Sequence, residues 1–350
     1  MGVLILNADA RAIPLPDRSV QCVITSPPYW GLRDYRHARQ IGLEAAPVAY
    51  VATICAVFEE VYRVLCDDGT VWLNLGDTYA RTGGTDRQPS PTAQTRNSKH
   101  TIEMRGDRTQ RRPKGIKDKD LIGIPWLVAF ALRDAGWYLR ADIIWAKAHE
   151  FCADAVGSTM PLGGKKADRP TSAHEYLFLL TKSSRYYYDE EAIKQVGVFA
   201  AGTRAAKGSG TREGNRRRPS NKQDGTRKRG YVGFNDRYFS PPNEGYAVYS
   251  GKRRLRDVWF ITPQPYKDAH FATFPLKLVE PCMLAGSRAG DLVLDPFGGS
   301  GTVGVVASML GRQAVLLDTK FEYCQLAQQR NNGRREIIHP DPGLDGQWPA

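Results

Sequence analysis

Residues 291–330, DLVLDPFGGSGTVGVVASMLGRQAVLLDTKFEYCQLAQQR, constrain the fold more than any other stretch. An apolar run from Leu292 to Leu294 stops at Asp295. A glycine-rich turn follows, then helical spacing from Thr302 to Leu310. A second apolar run, Ala314 to Leu317, ends at Asp318, and a further helical pattern runs from Tyr323 to Arg330. A strand–loop–helix–strand–helix unit of this kind predicts an α/β domain with a mostly parallel sheet. Gly298, Gly299 and Gly301 let the backbone turn tightly and approach a ligand, and Ser300 or Thr302 can cap the following helix. Asp318 sits where nucleotide-binding folds place a carboxylate on ribose hydroxyls. A phosphate loop is excluded because no Gly-Lys-Ser/Thr begins the helix. Asp295, just before the glycines, would repel a pyrophosphate and suits a ligand carrying an amino group. Taken alone, such a turn is more often just a tight turn.

The rest of the chain continues the alternation. Strands are expected at the N-terminus (Met1 to Asn7), Val20 to Ile24, Thr70 to Leu75, Leu139 to Trp145 and Tyr176 to Leu180. Helices are expected over Ala49 to Leu65, Leu121 to Ala135 and Pro275 to Ala285. The N-terminal run lacks a basic leader and a cleavage site, and no apolar stretch is long enough to span a bilayer, so no membrane partner is expected. The six cysteines are scattered, without a CxxC pair or a histidine cluster. No metal site or disulfide framework is expected, and a reducing cytoplasm is the natural setting.

Charge is concentrated. The net value is +12, yet residues 201–256 hold 15 Lys or Arg against 4 Asp or Glu, and residues 81–119 hold 11 against 4. The remainder of the chain is therefore net acidic, and the basic character belongs to two insertions rich in small and polar residues. For 81–119, a solvated loop and a nucleic-acid arm are equally good readings. Residues 201–256 read as a nucleic-acid surface. Their basic residues (Arg216, Arg217, Arg218, Arg227, Lys228, Arg229, Arg237, Arg253, Arg254) alternate with aromatics, which a purely solvated loop does not need.

A second stretch is as unusual as the glycine turn. In VQCVITSPPYWGLRDY, residues 20–35, a buried-type strand runs straight into Thr25-Ser26-Pro27-Pro28-Tyr29-Trp30. The two prolines make the corner stiff, and the aromatics make it adhesive. By itself this is as readily a rigid strand end as a site.

Together, Asp295-Pro296-Phe297-Gly298-Gly299-Ser300-Gly301-Thr302 and Thr25-Ser26-Pro27-Pro28-Tyr29-Trp30 resemble the signature motifs of S-adenosylmethionine-dependent DNA amino-methyltransferases. These enzymes methylate the exocyclic amine of cytosine or adenine. With Ser-Pro-Pro-Tyr near the N-terminus and the cofactor loop near the C-terminus, the order is similar to the permuted beta class. The resemblance extends from Asp9 to about Arg330, outside the basic insertions. It implies a Rossmann-like methyltransferase fold, with residues 1–188 and 257–335 catalytic, 189–256 a target-recognition region and 336–350 a tail. S-adenosylmethionine would be held by Asp9, at the adenine, by Phe274, by residues 295–302 and by Asp318. Double-stranded DNA would be the partner substrate, and a cognate restriction endonuclease is a second partner the resemblance implies. Three departures stand out. Asp318 replaces the commoner, longer Glu; Ala148-His149 follow Lys147 where proline is usual; and 157–166 lengthens a proline-rich link.

An exocyclic amine is a poor nucleophile because its lone pair is delocalised into the ring. Two acceptors aimed at its hydrogens favour the pyramidal transition state. Ser26 Oγ and the Pro27 carbonyl are the pair the resemblance implies, pre-aimed by Pro27 and Pro28. Tyr29 would stack on a base flipped out of the duplex. Trp30 would line the same pocket or pack in the core. Ser26 resembles cytosine-N4 enzymes, with adenine-N6 as the alternative, and a DNA-binding protein with a vestigial cofactor site is a reading from another class. Pro281-Cys282 has the look of a cytosine-C5 nucleophile, but it falls in an apolar helical segment and reads as a buried cysteine. The recognition sequence and oligomeric state are not readable from the chain.

Overall fold

The computed structural model describes residues 2–35, 37–80, 116–149, 152–155, 169–170, 172–196, 204–205, 247–248, 252–263 and 275–331. By chain contacts it comprises a unit of Met1–Ala192 with Arg256–Ala350, and a second, Ile193–Leu255.

The first unit is built on one sheet of eight strands: β1 (Val3–Leu6), β2 (Val20–Thr25), β3 (Leu65–Leu75), β4 (Tyr138–Ala146), β5 (His174–Thr181), β6 (Val258–Phe260), β7 (Leu292–Asp295) and β8 (Gln313–Leu317). Their spatial order is β1-β8-β7-β2-β3-β5-β4-β6. All pairings are parallel except the two made by β5. The central strands β2 and β7 are nearly continuous buried runs, as expected where helices cover both faces. On one face α1 (Pro47–Val64) and α2 (Ile124–Asp134) bury Tyr50, Ile54, Phe58, Val61, Val128 and Leu132 against Val23, Leu73, Phe178 and Leu317. Opposite them, α3 (Leu276–Gly286) and α4 (Thr302–Met309) pack on the central strands, and α5 (Phe321–Arg330) lies against β1. Among the described residues no helix is long and apolar enough to cross a membrane.

Connections from β7 and β2 run in opposite directions. Helix α4 carries the chain from β7 to β8 on one side, and α1 carries it from β2 to β3 on the other. The boundary between β7 and β2 is thus a switch point, where loops leaving the strand C-termini diverge and open a crevice. The loops leaving these two strands are Asp295-Pro296-Phe297-Gly298 and Ser26-Pro27-Pro28-Tyr29.

Several boundaries differ from the sequence expectation, each for an identifiable physical reason. Helix α2 starts at Ile124 rather than Leu121, because Gly123 adopts φ 79° and Leu121 bridges to Tyr79 instead. The Asp77 carboxylate, from the end of β3, accepts the amides of Gly123 and Ile124 at 3.1 Å, serving as a cap from a distant element. Strand β3 begins at Leu65. Leu65 pairs with Val20 and Thr70 with Cys22, so 66–69 bulge out of the ladder. The edge strand β6 was not foreseen; only Trp259 of its three residues is buried, too short a pattern to read.

Helix α3 ends tightly packed. A Cβ at Gly286 would lie 2.4 Å from Thr70 Oγ1 and 2.8 Å from Cys22 Sγ, both buried. Gly286→Ala is therefore expected to lower stability by about 1–3 kcal/mol through overpacking, read as a lower denaturant midpoint at unchanged slope. Cys282, on the same helix, is fully buried with Sγ 3.1 Å from the Leu278 carbonyl, and burial holds its thiol well above the ordinary range.

In the second unit, Gln195–Val196 pairs antiparallel with Lys252–Arg253, and Arg204–Ala205 with Ala247–Val248.

Candidate active site

The C-terminal ends of the parallel strands and the N-terminal end of the reversed β5 share one sheet edge. That edge gathers Asn7 and Asp9 after β1, Asp318 after β8, Asp295 at the end of β7, Ser26 after β2, Asn74 in β3, Lys147 after β4 and Glu175 in β5.

The two motif loops are joined directly. Thr25 Oγ1 donates to Asp295 Oδ1 at 2.7 Å in a fully buried hydrogen bond between residues 270 apart in sequence. The Phe297 amide donates to the same oxygen at 3.0 Å, and neither bond uses Oδ2. Among the described residues no Lys or Arg pairs with Asp295. Burial pushes its carboxyl up to about 7, against which these two hydrogen bonds work. Asp318 shows the same pattern: burial raises it to about 6, while its oxygens accept the amides of Lys320 at 2.8 Å and Gly299 at 3.1 Å. The two acids stand at neighbouring strand ends, where a bound cation would favour their ionised forms over the neutral forms that burial favours.

The glycines between them have separate causes. Gly298 hydrogen-bonds the Leu317 carbonyl at 2.7 Å, and a Cβ there would lie 2.9 Å from Leu316 Cβ. Gly301 has φ 77°, and its missing Cβ faces Asn331 and Ala327. The capping expected of Ser300 or Thr302 does not occur. Gly301 takes the cap position of α4 with no side-chain bond, while Arg330 Nη1 donates to both Ser300 Oγ and Thr302 Oγ1 at 2.8 Å. Arg330 lies close enough to engage both hydroxyls, which turns them away from the helix end. Pro296 is buried and Phe297 half-buried against the core.

Asp9 lies three residues beyond β1 and forms a two-pronged ion pair with Arg11 at 2.7 and 2.9 Å. Burial opposes its ionisation, but Arg11 outweighs that and holds the carboxyl below its ordinary value. Phe274, Arg216, Arg217, Arg218, Arg227, Lys228, Arg229 and Arg237 lie outside the described residues, as do 81–115 and 336–350. Arg253 is half-buried in the two-stranded ribbon of the second unit, and Arg254 follows it, exposed.

On the other side of the crevice, Ser26, Pro28 and Tyr29 are half-buried and Pro27 is buried. Trp30 resolves to the core: its indole donates to the Glu44 carbonyl at 2.8 Å. The Pro28 carbonyl accepts the Tyr50 hydroxyl at 3.0 Å. Tyr29 is not merely an aromatic surface. Its hydroxyl lies 2.7 Å from Glu175 Oε2, 2.9 Å from Asn74 Oδ1 and 3.2 Å from Ser26 Oγ. Glu175 is ion-paired through its other oxygen to Lys147. Burial, then the charge of Glu175, push the Tyr29 phenol well above its ordinary range, so it keeps its proton. Gly76 makes room for this ring, since a Cβ there would stand 2.6 Å from Tyr29 Cε2.

Sequence reading missed Asn74, Asp77 and Glu175. Asn74 left one signal, a lone polar residue within the apolar stretch Trp72-Leu73-Asn74-Leu75, whereas Glu175 follows His174 at the polar start of its strand and left none.

Comparison with known proteins agrees with this geometry. The chain is 40% identical over 334 residues to the Type II methyltransferase M.Cfr9I of Citrobacter freundii, covering 95% of this chain and 88% of that one. It is 39% identical to M.SmaI of Serratia marcescens, covering 95% and 91%. Among solved structures, the fold is shared with PvuII DNA methyltransferase (TM-score 0.58, 16% identity, 99% and 89% covered). It is also shared with TTHA0409 of Thermus thermophilus (TM-score 0.53, 20% identity, 98% and 100% covered). The family model for DNA methylases of the N6/N4 amino-methyltransferase type matches residues 20–329, nearly the whole chain, and the motif order is that of the beta class. The protein therefore belongs to the N6/N4 family of DNA methyltransferases.

Proposed function

We propose that this DNA methyltransferase transfers the methyl group of S-adenosylmethionine to the exocyclic N4 amine of cytosine at a specific duplex site. The observation that carries the reading is the buried Thr25–Asp295 hydrogen bond, which holds the amine-binding corner against the acid of the cofactor loop. The two acidic strand ends fit the cofactor, which bears a sulfonium and an amino group: Asp295 accepts two hydrogen bonds but has no described cation, so a bound cation would favour its ionised form and that of Asp318. When bound, S-adenosylmethionine supplies an electrophilic methyl group. The chain's own residues do the rest. Asp295 attracts the cofactor's amino end and Asp318 its ribose hydroxyls, with Asp9 and residues 296–302 completing that side; Phe274 is assigned to the cofactor by the family resemblance alone.

Ser26 Oγ and the Pro27 carbonyl accept the two amine hydrogens, which localises the nitrogen lone pair for direct in-line attack. The Pro28 carbonyl is the less available of the two, being held by Tyr50. Tyr29 faces the base, whose extrusion costs a few kcal/mol. Ser26 before Pro27-Pro28-Tyr29 resembles the motif of cytosine-N4 enzymes, and that resemblance supports cytosine over adenine as the substrate. Methylation-sensitive long-read sequencing of DNA from cells expressing the protein tests this. N4-methylcytosine in one sequence context is the expected result; N6-methyladenine would replace cytosine by adenine, and unmodified DNA would leave a non-catalytic binder.

Residues 189–256 are assigned to target recognition, on the strength of their basic and aromatic composition. Duplex binding should weaken steeply with salt, with a log–log slope of about 0.9 per neutralised phosphate. Deleting residues 204–229 should flatten that slope, and an unchanged slope would move the DNA surface elsewhere. A cognate restriction endonuclease in a Type II system is the partner this reading implies.

A further inference from the structure

The polar cluster beneath Ser26 contains more contacts than protons. Four polar contacts join Ser26, Tyr29, Asn74 and Glu175: two short, Tyr29–Glu175 at 2.7 Å and Tyr29–Asn74 at 2.9 Å, and two longer, Ser26–Tyr29 at 3.2 Å and Ser26–Asn74 at 3.4 Å. Asn74 adds no proton, because its Nδ2 donates to the Tyr176 carbonyl at 3.0 Å and thereby turns Oδ1 toward the cluster as an acceptor. The protons these four contacts share are one on Tyr29 and one on Ser26, so their directions are set by competition among acceptors.

A carboxylate is the strongest acceptor present and makes the shortest contact, so it takes the Tyr29 proton. Lys147, ion-paired to the other oxygen of Glu175, keeps that carboxylate in place; both side chains are only 13% exposed. With its proton committed to Glu175, the Tyr29 oxygen is left as an acceptor and takes the hydrogen of Ser26. Ser26 Oγ then has only lone pairs to present toward the crevice.

We propose that Glu175, anchored by Lys147 and acting through the Tyr29 hydroxyl, is a positioning residue that fixes Ser26 as a pure acceptor toward the substrate. A hydroxyl so polarised receives an amine N–H and repels a carbonyl oxygen, so the cluster selects amino bases over keto bases before any methyl group moves. The inference rests on the assignment of Ser26 to the amine made above, and supplies the group that orients it. Glu175 lies 146 residues from Tyr29 in sequence, on the one reversed strand, whose N-terminal end reaches the edge where its neighbours end.

The test is a double-mutant cycle of Tyr29→Phe and Glu175→Gln, measured by single-turnover methylation of duplex DNA, with S-adenosylmethionine affinity followed by calorimetry. Each single variant is expected to lower the methylation rate by about 10- to 100-fold, at or below the lower range for a positioned proton-handling group, while cofactor affinity stays unchanged. Because Glu175 acts only through the phenol, the double variant should be no slower than Tyr29→Phe alone. A double variant whose loss is the product of the two single losses would overturn the proposal, as would a Glu175→Gln enzyme of normal rate. Should Glu175→Gln fail to fold by circular dichroism, Lys147→Gln replaces it in the same cycle and is read by the same criteria. A wild-type enzyme that methylates no exocyclic amine would instead refute the proposed function, so the two failures are distinct.

Discussion

Ser26→Ala is expected to reduce methyl transfer by about 10²–10³-fold, the loss seen when one pre-aimed polar group is removed from a reacting centre. S-adenosylmethionine affinity and the unfolding midpoint should remain close to wild type. The geometry separates these effects. Ser26 Oγ contacts Tyr29 and Asn74, whereas the cofactor-side acid Asp295 is bonded to Thr25 and to the Phe297 amide. Removing the hydroxyl therefore leaves the cofactor pocket intact, and Ser26 is only half-buried, so little packing is lost. Single-turnover kinetics beside calorimetric titration of the cofactor measure both quantities. Normal turnover in the variant would mean that the amine is held elsewhere.

Asp295→Asn carries the second large effect, and its sign depends on what is measured. The Asp295 carboxyl is raised by burial from 3.8 to about 7. A folded-state value above the unfolded one favours folding while the group is protonated, and that contribution is lost as pH rises through about 7. Above that pH the unliganded protein keeps a buried carboxylate with no described cation beside it. Asparagine can still accept from Thr25 and from Phe297 through its own oxygen, and it never ionises. The variant should consequently melt higher than wild type at pH 8, and the difference should shrink toward pH 4. Cofactor binding should move the other way. Losing a charge-assisted contact worth about 1.5–3 kcal/mol weakens S-adenosylmethionine binding by roughly 10- to 150-fold. Near pH 6 the wild type should release a proton as the cofactor binds, visible as a dependence of the binding enthalpy on buffer ionisation, and the variant should not. Unchanged cofactor affinity would remove Asp295 from that pocket.

Both experiments address side chains that were legible in the sequence, for a physical reason. The two loops are defined by backbone chemistry that is local: two prolines stiffen one corner, and glycines with positive φ permit the other. The strands feeding them are apolar because both faces are covered, so they too stand out. Element ends were less legible wherever a distant group decided them. Asp77 starts α2 from another strand, and Arg330 draws Ser300 and Thr302 away from the cap that their positions suggested. Tyr29 shows the limit most clearly. Its aromatic ring was readable as a surface for a base, but its hydroxyl has a separate role fixed by Asn74 and Glu175, residues 45 and 146 positions away.

By itself, the sequence determined the alternating α/β architecture, the two signature loops and the chemistry their residue types permit. It did so because backbone preference and hydrophobic period act over a few neighbours. Only the tertiary structure decided that both loops open at one switch point, that Thr25 and Asp295 join them, and that Glu175 and Lys147 stand behind Tyr29. Those arrangements depend on strand order and on the reversal of β5, which place distant residues at one sheet edge, and no short-range pattern in the chain records them.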